Sequence, residues 1–120
     1  MSGEVAVVGA GTMGAGIAQV CATAGLRVLL LDVAIDQLKR GQDTIGASLA
    51  KLETKGSLPR PASEISGRVR TSTDLADVSR VGFVIEAVYE DVGVKSDLFK
   101  RLDQAAGPGT ILASNTSSIS

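Results

Sequence analysis

The chain has no histidine and no tryptophan, and only one cysteine, one tyrosine, two phenylalanines and three prolines in 120 residues. Without histidine, these residues lack the side chain most often used as a general base near neutral pH. A lone cysteine excludes an internal disulfide framework; Cys21 stands in an apolar stretch, where it is expected to pack, and its solitude fits a reducing compartment. Neither sign of charge dominates, since twelve basic and thirteen acidic residues leave a net charge of -1. No global field therefore draws in nucleic acid or an anionic membrane. No apolar run approaches the roughly 18 residues of a membrane span, and Met1 leads straight into a strand-like run rather than a signal sequence. These absences lead us to expect a soluble, cytoplasmic protein that binds neither nucleic acid nor membrane.

What is present is an alternation of valine-rich runs with helical patterns. "EVAVVG" (4–9) and "RVLLLD" (27–32) read as buried strands, and "TMGAGIAQVCATAG" (12–25) between them as a helix closed by Gly25. The spacing is that of a βαβ unit. Ile35, Leu38, Ile45, Leu49 and Leu52 recur at mostly helical intervals over 34–55, although Gly41 and Gly46 weaken a helix there. "KGSLPRPAS" (55–63) breaks it, with room for a short helical turn after Pro61. A short, exposed strand is predicted at 68–73, a turn capped by Asp74 at 74–79, a strong strand at 81–88, a helix at 94–106 and a last strand at 110–114. With 44% hydrophobic residues, the whole chain suits a single α/β domain, a Rossmann-type doubly wound parallel sheet of about five strands in the order 3-2-1-4-5.

Gly9, Gly11 and Gly14 form a G-x-G-x-x-G run with a strand before it and a helix after it. In that context Gly9 permits a tight turn, Gly11 lets the backbone approach a pyrophosphate, and Gly14 lets the helix lie close to the strand. Phosphate would rest at the helix start, and Thr12 and Met13 belong to the same candidate surface. Gly16, Ala10, Ala15 and Ala18 continue the run of small residues and are expected to serve close packing rather than a ligand. Asp32 ends the second strand 18 residues past Gly14, where a carboxylate accepts the hydroxyls of an adenosine ribose. A 2'-phosphate would meet that carboxylate with like charge, and no arginine occurs at 33–36, so NAD is expected over NADP.

Three blocks, "GAGTMGAGIAQ", "IEAVYEDVGVK" and "SNTSS", carry a more specific likeness. In this order and spacing the chain from Val5 to Ser120 resembles the L-3-hydroxyacyl-CoA dehydrogenase family, the NAD-linked enzymes of fatty-acid β-oxidation and of related degradative and butyrate-forming pathways. The resemblance implies that Asp32 holds the adenosine ribose and that Ala87, Glu90 and Lys95 line the nicotinamide side. It further implies that Asn115 lies by the reacting centre, and that Ser117 bonds the C3 oxygen of the substrate and touches the cofactor. Ser48 and Lys55 match positions used for coenzyme A, although "LETKGSLPRP" departs from the family's usual basic helical hairpin. No metal is implied.

The family's base is a histidine, oriented by a glutamate, and both lie downstream of the "SNTSS" block. No histidine occurs in these 120 residues. The expectation is thus a cofactor-binding part, cut before the histidine strand and the helical domain, that holds NAD without completing the reaction. Its parent would be a homodimer or part of a multifunctional chain acting on acyl-CoA. Two other readings stay open: a non-catalytic NAD-binding module, such as a sensor or a crystallin-like relative, and a β-hydroxyacid dehydrogenase. The latter is disfavoured because its glycine-rich substrate motif is missing after the fifth strand.

Overall fold

A computed structural model describes residues 4–87, 104–105 and 111–114 of the chain. Its elements run β1 (Glu4–Val8), α1 (Thr12–Thr23), β2 (Arg27–Leu31), α2 (Ile35–Thr54), α3 (Ala62–Ser66), β3 (Val69–Ser72), a 3-10 turn (Leu75–Arg80), β4 (Phe83–Glu86) and β5 (Ile111–Ser114). The five strands form one sheet in the order β3-β2-β1-β4-β5. Every pairing is parallel. This is the doubly wound arrangement expected from the alternation of strands and helices, and its order reverses between β1 and β4, at the crevice where such sheets bind ligands.

Side chains alternate across the pleat, which explains why the strands read as unbroken apolar runs: both faces are covered. One face presents Val5, Val7, Val28 and Leu30 to Ala15, Ala18 and Ala22 of α1, Leu38, Ile45 and Leu49 of α2, and Ile65 of α3. The other presents Ala6, Val8, Leu29, Leu31 and Val84 to Val78 and Val81. Leu29, Leu30 and Leu31 are all but fully buried, each contributing roughly 1.5–3 kcal/mol relative to an exposed side chain. Cys21 packs against the first cluster as expected, and burial pushes its thiol pKa up. Among the described residues, no helix is long and apolar enough to cross a membrane.

Several local expectations hold for identifiable reasons. Gly25 takes a positive φ of 103° after α1, and its N–H donates to Ala22 O. Asp74 caps the 3-10 turn by accepting from Ala76 N at 3.0 Å. The turn after Pro61 is α3, and β3 is the partly exposed edge strand.

Three expectations change. The strand predicted at 81–88 is only Phe83–Glu86, because β1 offers four partners, Val5–Val8, while Val81 N still closes the preceding turn on Val78 O. Ile35 is 67% exposed rather than core-facing. Gly16 is exposed and a Cβ there would meet nothing within 4 Å, so packing does not require a glycine at that position. Of the helix predicted at 94–106, the described part is helical at 104–105 and the remainder lies outside the described residues.

The N-terminal edge of the sheet is tied by ion pairs. Arg70 of β3 donates to both carboxylate oxygens of Glu4 in β1, at 2.8 and 3.0 Å, reaching past β2. This guanidinium holds the Glu4 carboxyl below the usual carboxylate range. Glu64 of α3 accepts from both Arg60 and Arg68, and Arg68 also donates to Ala22 O at the end of α1, at 2.6 Å.

Candidate cofactor site

The opposite edge is built around the turn from β1 into α1. Gly9 adopts φ 106°, a left-handed conformation that costs a residue with a Cβ about 1–3 kcal/mol. Its N–H donates to Leu31 O at 2.7 Å, which pulls the turn onto the end of β2. Gly14 faces back toward that turn: a Cβ there would stand 1.6 Å from Gly9 O and 2.7 Å from Gly9 C. No side chain fits, so the close packing of helix on strand depends on this residue.

Gly11 differs from both. Its φ is -69°, open to any residue, and a Cβ there would meet nothing within 4 Å. The protein itself does not require glycine at this position, and the space left open is the space a ligand backed by the loop would occupy. Gly11 is also the N-cap of α1, with no side-chain cap and no acid in the first turn. Thr12, at the surface, and Met13, half-buried, begin the helix, whose first N–H groups are unpaired by the helix itself.

Asp32 follows β2 directly. Its Oδ2 accepts from Ala10 N, and its Oδ1 from Ala34 N, both at 2.9 Å. The first bond clasps the glycine loop across 22 residues; the second turns the chain into α2. Each carboxylate oxygen has a second lone-pair site, so this clasp leaves acceptor capacity for a hydroxyl. Spacing alone placed Asp32 at the strand end but gave no sign that it also fixes the loop.

Between the N-terminal parts of α1 and α2 lies a cavity of about 340 Å³, lined by Ala10, Gly11, Thr12, Ala15, Gln37, Arg40, Gly41 and Thr44. At Gly41 α2 comes close to the loop and to β2: a Cβ there would stand 3.0 Å from Ala10 O and 3.4 Å from Leu30 Cδ2. Although Gly41 lowers intrinsic propensity, α2 runs unbroken through it for 20 residues.

The remaining predicted residues fall into two groups. Ser48 Oγ accepts from Gln19 Nε2 at 2.9 Å, joining α2 to α1, and Lys55 is the exposed C-cap of α2. Neither lines the cavity. Ala87 is buried at the end of β4 and donates its N–H to Val8 O at 2.8 Å. Glu90, Lys95, Asn115 and Ser117 lie outside the described residues. One residue escaped the sequence reading: Glu86, only 1% exposed, sits at the C-terminal end of β4 opposite Val8 and Ser114. An acid closing an otherwise apolar strand, in "VIEA", was the available signal.

The sequence model of the NAD-binding domain of 3-hydroxyacyl-CoA dehydrogenase matches residues 4–120. The chain belongs to this family. A "probable 3-hydroxybutyryl-CoA dehydrogenase" of Deinococcus radiodurans is 47% identical over 94% of the chain and 41% of its own length. The mitochondrial hydroxyacyl-coenzyme A dehydrogenase of Sus scrofa is 43% identical over 97% of the chain and 39% of its own length. Among solved structures, the (S)-3-hydroxybutyryl-CoA dehydrogenase of Ralstonia eutropha superposes with a TM-score of 0.93 at 39% identity, covering 100% of this chain and 43% of that one. The chain thus spans about two-fifths of the length of these relatives. The family membership bears out the likeness carried by the three sequence blocks, and NAD is the cofactor of this domain family.

Proposed function

We propose that the chain is the cofactor-holding part of an NAD-dependent dehydrogenase that oxidises (S)-3-hydroxyacyl-CoA to 3-oxoacyl-CoA. The observation that carries the reading is the paired geometry of Gly11 and Asp32. One residue leaves open a space that the protein does not need, and the other presents a fixed carboxylate beside it. A pyrophosphate against the loop and a ribose on Asp32 fit that arrangement. NAD, when bound, supplies the acceptor for the hydride that leaves C3.

In this reading Asp32 binds the ribose, and Ala87, Glu90 and Lys95 border the nicotinamide. Asn115 and Ser117 hold the reacting centre, with Ser117 hydrogen-bonded to the C3 oxygen. The hydroxyl proton must go to a base, and serine is a poor one at its ordinary pKa. Since these 120 residues contain no histidine, they are expected to bind NADH and to give no turnover of acetoacetyl-CoA. Ser48 and Lys55, two helical turns apart at the far end of α2, would meet the coenzyme A portion.

A titration of the chain with NADH and NADPH, followed by cofactor fluorescence, tests the reading. NADH should bind at least tenfold more tightly, because the 2'-phosphate of NADPH would approach the Asp32 carboxylate. Equal affinities would remove Asp32 from the ribose, and no binding of either would remove the dinucleotide.

A further inference from the structure

The glycine loop has no cation of its own: residues 9–14 are Gly, Ala, Gly, Thr, Met and Gly, and α1 carries no charge in its first turn. A pyrophosphate bears two negative charges near neutral pH, and backbone N–H groups match them only in part. The cavity beside the loop supplies what is missing. Of the eight described residues that line it, Arg40 alone is charged, and it shares that lining with Gly11 and Thr12.

Arg40 stands in the second turn of α2, on a helix held against the loop by the close approach of Gly41 to Ala10 O. Its position relative to the loop is therefore set by packing. Asp36 and Asp43 lie one turn away on α2, at the spacing of intrahelical ion pairs, yet neither lines the cavity. Arg40 makes no ion pair with any described residue. By contrast, Arg60, Arg68 and Arg70 are bonded to glutamates, while Arg27, which likewise makes no ion pair with a described residue, stands at the opposite edge of the sheet, at the start of β2. An arginine left without a carboxylate, beside an opening rimmed by Thr12, Gln37 and Thr44, is suited to an anion, which its planar fork can meet with two hydrogen bonds.

We infer that Arg40 is the cationic contact for the pyrophosphate joining the two nucleotides of the cofactor, reaching it from α2 across the cavity. The inference rests on the dinucleotide reading above and adds to it a binding residue outside the G-x-G-x-x-G run. The same chemistry occurs in the pyrophosphate of coenzyme A, and the two sources are separable by experiment.

The test is a titration of wild type, Arg40→Gln and Lys39→Gln with NADH, ADP-ribose and coenzyme A at low and high salt. Lys39 is the exposed neighbour outside the cavity lining, and it controls for net charge. Arg40→Gln should weaken NADH and ADP-ribose equally, by about tenfold, and should flatten the salt dependence of both, since a screened charge has been removed. Lys39→Gln should stay within twofold of wild type. Arg40 is exposed, so an unchanged urea midpoint for Arg40→Gln is expected and confirms that the fold survives.

Three results would overturn the inference: Arg40→Gln binding NADH within twofold of wild type, an equal loss in Lys39→Gln, or a loss confined to coenzyme A, which would place Arg40 on the substrate instead. Wild type failing to bind NADH would overturn the cofactor reading itself. Wild-type binding unaltered by Arg40→Gln would overturn only the role of the arginine.

Discussion

The two edges of the sheet both carry carboxylates, and they treat them differently. At the N-terminal edge Glu4 and Glu64 are bound by guanidinium groups, two donors from Arg70 on the first and Arg60 with Arg68 on the second. At the C-terminal edge Asp32, among the described residues, accepts only from backbone, Ala10 N and Ala34 N. The guanidinium pairs fill their carboxylates with charge-assisted bonds and add stability. The backbone clasp fixes the aspartate in place without an ion-pair partner among the described residues and leaves its remaining lone pairs available. One edge is a fastening; the other is built to receive something.

The largest expected effect breaks the receiving edge from within. Gly14→Ala forces a Cβ onto Gly9 O, a contact that no rotamer relieves, and should lower unfolding free energy by about 3 kcal/mol or more. A urea titration that moved by less than 1 kcal/mol would mean that α1 can slide away from β1.

Next comes the clasp. Asp32→Ala leaves Ala10 N and Ala34 N without their acceptor and should cost about 2 kcal/mol of stability, together with at least a tenfold loss of NADH affinity. Unchanged NADH binding in a direct titration would count against the ribose role.

Gly11→Ala sharpens the comparison further, because the added methyl enters open space. Stability should stay within about 0.5 kcal/mol of wild type, whereas NADH affinity should fall by about tenfold, or 1.4 kcal/mol. If stability fell and affinity did not, the open space would be structural after all.

The smallest effect belongs to the fastening edge. Glu4→Gln should cost about 0.5–1 kcal/mol at pH 7, as for other largely solvent-screened pairs, with NADH binding unaltered. The folded Glu4 carboxyl titrates below its unfolded counterpart, so its contribution is complete above the unfolded carboxylate pKa of about 4.3. It is lost as pH falls through the lower folded value. Urea midpoints of wild type and Glu4→Gln should therefore converge below about pH 4; a constant gap would assign the difference to packing.

Most of the frame was legible because its signals are local. The alternation of apolar runs gave strand count and order, Gly25 and Asp74 announced their caps, and Gly9 and Gly14 of the loop were placed with their tasks. Gly9 and Gly14 perform those tasks within the protein, by a positive φ and by an excluded Cβ. Less legible was whatever depends on distant parts of the chain meeting. Gly41 read as a weak point in a helix, yet it lets α2 approach a loop 31 residues away; nothing in its own neighbourhood announces Ala10 O. The Glu4–Arg70 pair spans 66 residues and an intervening strand, and the Asp32 clasp spans 22. Gly16 erred in the other direction, since a small residue in a small-residue run reads as packing even where it faces solvent.

The bond from Ala10 N to Asp32 has a consequence for anyone redesigning this domain toward NADP. The usual first move is to replace the acid at the end of β2 with a small or neutral residue, so that a 2'-phosphate is tolerated. Here that same side chain latches the loop, and removing it would slacken the turn at the moment a bulkier ligand is introduced. Asparagine at position 32 would keep only one of the two bonds, since its single oxygen can accept from Ala10 N while its NH2 would face Ala34 N as a second donor. A redesign would have to retain the bond to Ala10 N and add the new cation elsewhere. If Asp32 holds the ribose as proposed, cofactor preference and loop rigidity rest on one residue, and neither can be rewritten alone.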